Sequence, residues 1–245
     1  HLEDHAFCEA IIQYFEIDID IKGLEHIPEN GGAILALNHP LGGMDGIALI
    51  HALRHKRPDV VLIVNDLLLN IKQLSKLFVG VNKFGRNQGS VRQNIKGAFE
   101  KEQIVIIFPA GMVTRIHFGQ IIEPEWKKTF VSYARQLQRP IVPIYIRGRL
   151  PKTFYRINRW RNRLGIKANI EMFLLADEMF KQKLNFTMKF TLIYPNQLFY
   201  NHPAISKNQQ IVLVEDPLFF GDTQYPLKFH KKKLFFNLFR IKSLK

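Results

Sequence analysis

Short, uninterrupted apolar runs constrain this chain most. Ala33-Ile34-Leu35-Ala36-Leu37, residues 60–64 and residues 104–108 are each of strand length, carry no charge and sit between polar turn segments. Runs of this kind read as buried strands. Between them lie segments whose apolar positions recur at helical spacing: residues 2–15, 47–53, 67–78, 91–102 and 126–137. Strands alternating with helices predict an α/β fold, a mixed, largely parallel sheet flanked by helices. Residues 17–21 alternate with Asp18 and Asp20 and predict a half-buried strand, and residues 79–81 are a further strand candidate. Residues 141–146 read as a strand whose Pro143 predicts an edge position or a bend.

In such sheets, sites gather beyond the carboxyl ends of the strands. One run ends in a string of chemical interest, Asn38-His39-Pro40-Leu41-Gly42-Gly43-Met44-Asp45. The Pro-Leu-Gly-Gly stretch is a turn, and the next helix starts at about Gly46. A histidine leaving a core strand meets a carboxylate one short turn later. That arrangement suits general-base chemistry, because the carboxylate can hold one ring nitrogen and leave the other free to take a proton. Gly42 and Gly43 let backbone approach a ligand closely. The alternative is a turn histidine bonded to a nearby carbonyl.

Three other blocks surround this one. Residues 104–115 run from a strand through Phe108-Pro109-Ala110-Gly111 to Thr114-Arg115, aiming the Gly111 amide and the Arg115 guanidinium at one anion-sized spot. Gly80-Val81-Asn82-Lys83-Phe84-Gly85-Arg86 offers another basic contact through Arg86, or is a surface loop. Arg139-Pro140-Ile141-Val142-Pro143-Ile144 carries no chemistry and shapes the pocket. His51 and His55 stand four apart on a helix, as in a zinc motif, but Ala52 occupies the position of that motif's general base. They read as helix-end surface residues, and no metal is expected.

Charge limits the partners. Lys and Arg number 35 against 21 acids, a formal charge of +14. Such an excess favours nucleic acid, anionic headgroups or phosphorylated substrates. Eight of those cations fall in residues 147–167, which hold no acid and carry Phe154, Ile157, Trp160 and Leu164 among them. The stretch predicts a basic amphipathic helix suited to a headgroup layer. Cys8 is the sole cysteine, so neither an internal disulfide nor a cysteine metal site can form. No stretch reaches the roughly 18 apolar residues of a spanning helix, and no signal peptide is expected from the opening His-Leu-Glu-Asp.

The four blocks resemble, in order and spacing, those of the phospholipid and glycerol acyltransferase family, and within it the bacterial hemolysin-like branch linked to acylation of amino-acid lipids. The resemblance covers about residues 1–187 and includes Leu164-Gly165-Ile166-Lys167-Ala168-Asn169-Ile170-Glu171-Met172. Two departures stand out. Five residues separate His39 from Asp45 where the family usually has four. Ala110 occupies the place of the glutamate in the family's Phe-Pro-Glu-Gly block, which weakens the carry-over of acceptor binding, glycerol phosphate in particular.

The resemblance implies a fold like that of the glycerol-phosphate acyltransferases. It also implies transfer of a fatty acyl group from an acyl carrier protein or coenzyme A thioester to the hydroxyl of a lysolipid. His39 would be the general base, Asp45 its partner, and the amides near Gly42 and Gly43 an oxyanion site. Asn38, Arg86, Gly111, Thr114 and Arg115 would bind substrate. No cofactor beyond the acyl thioester is implied. The expected location is peripheral, on an anionic membrane at the cytoplasmic face of a bacterial inner membrane, with no nucleic-acid partner.

Residues 188–245 change character. Tyr194 to Phe199, Asn201-His202-Pro203-Ala204 and residues 212–220 resemble the N-terminal start of the prokaryotic photolyase and cryptochrome-related family. A partial α/β fragment joined by fusion or read-through is therefore expected after residue 187, the alternative being a divergent extension packed on the first domain. Two rival functions follow from these features: a catalytically silent lipid-binding module, and a photolyase-related nucleic-acid-binding protein. No helix-turn-helix or zinc pattern accompanies the latter.

Overall fold

The computed structural model describes residues 2–65, 68–81, 88–117, 120–166 and 186–192. The strands are β1 (Ile17–Lys22), β2 (Ala33–Leu37), β3 (Val60–Asn65), β4 (Phe78–Val81), β5 (Ile104–Ile107), β6 (Arg115–His117), β7 (Gln120–Ile122), β8 (Ile141–Arg147) and β9 (Phe186–Leu192). The helices are α1 (Asp4–Tyr14), α2 (Gly43–Leu53), α3 (Gln88–Glu100), α4 (Thr129–Leu137) and α5 (Lys152–Arg163). Seven strands form one sheet in the order β1-β9-β8-β2-β5-β3-β4, and β6 pairs with β7 in a separate antiparallel ribbon. Every neighbouring pair in the sheet is parallel except β8 with β9. The sheet is thus mixed and mostly parallel, as the alternation predicted.

Strand β2 shows why the sheet is buried on both faces. Ala33, Leu35 and Leu37 join the core formed with α1 and α2. Ile34 and Ala36 join the opposite core, with Ala98 and Phe99 of α3 and Phe130 and Ala134 of α4. Each fully buried Leu or Ile contributes about 1.5–3 kcal/mol, so the strand leading into the site is among the best anchored in the molecule. Crossovers from β2 toward β3 pass over the α2 face, and those returning toward β8 pass over the α4 face, as a constant crossover hand requires. From their carboxyl ends the chain leaves β2 toward β3 and leaves β8 toward β9. The crevice between β2 and β8 is therefore the topological switch point of the sheet.

Four expectations differ from the structure. Strand β8 is an interior strand, between β9 and β2. Ile34 N–H donates to the Pro140 carbonyl, so in a parallel ladder Val142 and Ile144 face β2 and the nitrogen of Pro143 faces the β9 side. The β8–β9 pairing ends at Ile144 with Leu192, one step short of Pro143, and the missing donor breaks no rung.

Of the helix expected over residues 67–78, the described residues 68–78 form no α-helical turn. Two 3₁₀ turns, Leu68–Asn70 and Lys72–Leu74, precede β4, closed by i→i+3 bonds such as Ile71 N to Leu68 O and Leu74 N to Ile71 O. The crossover must return the length of a strand between parallel neighbours. A 3₁₀ turn advances about 2.0 Å per residue against about 1.5 Å in an α-helix, and so covers that length with fewer residues.

The basic helix is shorter than residues 147–167. Arg147 belongs to β8, Pro151 precedes the first turn, and Gly165 adopts a left-handed φ of 66° just past the last. Its apolar side chains also divide. Phe154 and Tyr155 pack with Val113 and Leu150 against Ile116 and Ile121 of the β6–β7 ribbon, while Trp160 and Leu164 are 67% and 66% exposed. At about 100° per residue these two lie on a flank turned away from Phe154.

The expected boundary between residues 187 and 188 falls inside β9, which pairs with β1 along its length and with β8 through residues 189–192. Met188 and Phe190 are core residues, because the sheet needs this strand to cover β8 and to carry β1. The rest of the expected C-terminal fragment lies outside the described residues.

Candidate active site

The site is built on the end of β2. Ladder pairing on this strand stops at Ala36 toward β5 and at Leu37 toward β8, so Asn38 and His39 project past the sheet into the switch-point crevice. Gly42 takes a φ of 80°, a conformation that favours glycine, and turns the chain into α2. Asp45, in the first turn of α2, is fully buried.

The turn brings the pair together. His39 Nδ1 lies 3.0 Å from Asp45 Oδ2, and the Leu41 amide donates to the same oxygen at 2.9 Å. Burial pushes the Asp45 carboxyl above its ordinary value, while the His39 ring and the amides of Leu41 and Gly42 pull it back. An ionised carboxylate only accepts, so Nδ1 carries the ring proton and Nε2 keeps its lone pair. Phe108, just past β5, stacks on the imidazole with centroids 4.1 Å apart and planes inclined by 25°. The His39 side chain is 17% exposed. The ring is therefore fixed by a carboxylate at one edge and a phenyl on one face, and it still reaches solvent.

The other expected site residues are placed as follows. Asn38 is a cross-link between strands: its Nδ2 donates to the Ile146 carbonyl at 2.9 Å, and its Oδ1 accepts from the Ile146 amide at 2.7 Å. Those bonds engage one N–H and one lone pair of its amide in holding β8. The Gly42 amide lies near enough to the Asp45 carboxyl to act on it. A Cβ on Gly43 would meet nothing within 4 Å, so space is open at the start of α2.

Gly111 has a φ of 65°, and its amide closes a turn onto the Phe108 carbonyl at 2.9 Å. That bond takes the Gly111 amide away from the anion spot expected between it and Arg115. The Thr114 hydroxyl pairs with the Tyr155 hydroxyl at 3.1 Å, and its amide donates to the His39 carbonyl at 3.0 Å. Arg115 lies on β6 with its guanidinium 5.2 Å from the Phe154 ring centroid, within cation–π range. Arg86 lies outside the described residues.

One residue at the site escaped the sequence reading. Glu123, just past β7, accepts the His39 main-chain N–H at 3.2 Å through Oε1 and 3.5 Å through Oε2, and its Oε1 lies 3.4 Å from Trp126 Nε1. Burial pushes its carboxyl up to about 8, the His39 amide and Trp126 act against that, and the charge of Asp45 adds to it. The available signal was weak: an acid between the apolar pair Ile121-Ile122 and Pro124.

A histidine–aspartate pair stands past the carboxyl end of a central parallel strand of an α/β sheet with helices on both faces, an arrangement that can move a proton. The solved 1-acyl-sn-glycerophosphate (LPA) acyltransferase PlsC from Thermotoga maritima has a similar fold, with a TM-score of 0.50 over 81% of this chain and 70% of that one at 16% identity. The chain belongs to the acyltransferase family, whose model matches residues 1–223.

Among curated proteins it is 40% identical over 178 residues to the lyso-glycine lipid O-acyltransferase of Phocaeicola vulgatus, a match covering 72% of this chain and 64% of that protein. It is also 40% identical over 195 residues to the lyso-glycine lipid O-acyltransferase of Bacteroides thetaiotaomicron, covering 79% and 72%. The chain thus spans less than two thirds of the length of the first of these relatives.

Proposed function

We propose that this protein is an O-acyltransferase that moves a fatty acyl group from an acyl thioester, acyl carrier protein or coenzyme A, to the hydroxyl of a lysolipid. A lyso-amino-acid lipid of the lyso-glycine type is the leading acceptor. The observation that carries the reading is the 3.0 Å contact between His39 Nδ1 and Asp45 at the switch point of an acyltransferase-family sheet. The names of the two relatives support the acceptor class.

The chemistry balances without a covalent enzyme intermediate. His39 Nε2 takes the acceptor's hydroxyl proton as that oxygen attacks the thioester carbonyl, and Asp45 stabilises the imidazolium. The tetrahedral intermediate collapses, the carbon–sulfur bond breaks, and the imidazolium returns its proton to the departing thiolate. The first-turn amides of α2, beside Gly43, would steady the oxyanion, a role worth about 3 kcal/mol per donor in other enzymes. Arg115 would hold an anionic group of donor or acceptor. Cys8 is no nucleophile: it lies in the core of α1, and burial pushes its thiol up to about 12.

A lysolipid resides in a bilayer, and α5 suits such a surface. Trp160 and Leu164 stand exposed among Arg156, Arg159 and Arg163, and each cation near an anionic surface contributes about 1 kcal/mol. No helix among the described residues is long and apolar enough to cross a membrane. We place the protein peripherally on the anionic inner face of a bacterial membrane.

The test is acyl transfer by the full chain, read by mass spectrometry of the lipid product, with His39→Ala beside it. Loss of product with lysolipid binding retained supports the reading. Transfer by His39→Ala at the wild-type rate removes His39 as base, and binding without transfer by the wild-type chain leaves a lipid-binding module.

A further inference from the structure

The β6–β7 ribbon does more than carry Arg115. Its pairs are Arg115 with Ile122, Ile116 with Ile121 and His117 with Gln120. The next step outward from the first pair places Thr114 on one arm and Glu123 on the other. Both arms grip the main chain of the same residue, one on each side of its Cα. Thr114 N–H donates to the His39 carbonyl at 3.0 Å, and the His39 N–H donates to the Glu123 carboxyl at 3.2 Å. His39 lies past the last sheet pairing of β2, so no strand neighbour supplies these bonds.

We propose that Glu123 is a positioning residue for His39: from the foot of the β6–β7 ribbon its carboxyl fixes the main chain from which the base projects. Asp45 and Phe108 set the ring about its own bonds, whereas Glu123 and Thr114 set the backbone on which those bonds turn. The two fixings come from different elements, since Asp45 arrives on α2 and Glu123 just past β7. Trp126 holds Glu123 in turn through its indole N–H. The ribbon is seated by the Thr114–Tyr155 hydroxyl pair and by Ile116 and Ile121 on Phe154 of α5. Glu123 needs an accepting oxygen at a fixed reach for this role, not a negative charge.

The inference rests on His39 acting as base, and the experiment separates the two. kcat and KM are measured on the full chain for wild type, His39→Ala, Glu123→Ala, Glu123→Asp and Glu123→Gln, with a lysolipid acceptor and an acyl thioester donor. His39→Ala reports on the base alone, and activity retained there overturns that reading whatever Glu123 does. With His39→Ala inactive, Glu123→Ala and Glu123→Asp are each expected to lose about 10- to 100-fold in kcat with KM little changed, as for a reacting group displaced by about 1 Å. Asp is one methylene too short to reach the His39 amide.

Glu123→Gln keeps an accepting oxygen at the same reach and is expected to stay within about threefold of wild type at neutral pH. Wild-type kcat in both Glu123→Ala and Glu123→Asp overturns the proposal. So does a Gln variant as impaired as Ala, because that result assigns the role to charge. Should Glu123→Ala fail to fold, the Asp and Gln pair decides by the same contrast.

Discussion

The two sides of the active-site crevice are built on different principles. On the β2 side, the turn from His39 to Asp45 stands between two cores, and Asp45 is fully buried under a helix whose residues 44–50 are all buried. On the ribbon side, a satellite cluster of four buried residues, Val113, Leu150, Phe154 and Tyr155, seats β6, β7 and α5. The first side holds the His39 ring by a carboxylate at one edge and a phenyl on one face. The second presents cations and exposed apolar side chains outward from a small base. Proton transfer is sensitive to placement, whereas contact with a fluid, anionic surface depends on summed charge and buried area. The difference accords with the proposed function: the densely packed side holds the histidine–aspartate pair, and the smaller cluster carries the exposed face of α5.

The contrast can be broken at its rigid end first. Asp45→Asn keeps shape but puts an amide opposite Nδ1, which favours the wrong tautomer. kcat is expected to fall by about 10²–10⁴-fold, the range of general acid–base contributions, with vesicle binding unchanged. Parallel steady-state kinetics and vesicle sedimentation check both halves. A variant that lost both together would show that the two sides are not separable.

At the other end, Trp160→Glu with Leu164→Glu should weaken sedimentation with anionic vesicles by about tenfold or more, since two apolar contacts are lost and two charges of the wrong sign gained. Turnover of a detergent-dispersed acceptor should hold within about twofold. Wild-type binding should itself weaken with salt, and equal binding to neutral and anionic vesicles would remove the electrostatic part.

The smallest effect concerns pH and stability. A carboxyl raised from 4.5 to about 8 on folding binds more protons in the native state across that window. Stability therefore falls as pH rises from about 4.5 toward 8. Asp45 from α2 and Tyr145 from β8 also bear on Glu123. Glu123→Gln removes the Glu123 share, so its thermal midpoint should decline less than that of wild type between pH 5 and 8, a shift of a few degrees readable by calorimetry. Parallel declines would mean that Glu123 titrates normally.

Much of this was legible in the sequence, and the reason is locality. Strands β2, β3 and β5 announced themselves as apolar runs because parallel strands are covered on both faces. The His39–Asp45 contact spans six residues and one glycine turn, so its geometry follows from local chemistry. Glu123 is 84 residues from His39, and only the path of the chain past β5 brings it back; no spacing rule reaches that far. The same holds for the Asn38 bond to Ile146, 108 residues away, a strand cross-link that no local spacing announces. Pro143 misled because the rule against proline in interior strands assumes a partner on both sides, and β9 ends one residue too soon to be that partner. β9 is hard to read from local pattern because its partners β1 and β8 lie far back in sequence.

The Asn38 bridge has a consequence of its own. The main-chain ladder between the parallel strands β2 and β8 ends at Leu37 with Ile144, and a single carboxamide carries the pairing one step further with one bond each way. Replacing that amide would let the two strand ends part just where His39 begins, so the seam beneath the histidine is closed by a side chain rather than by backbone.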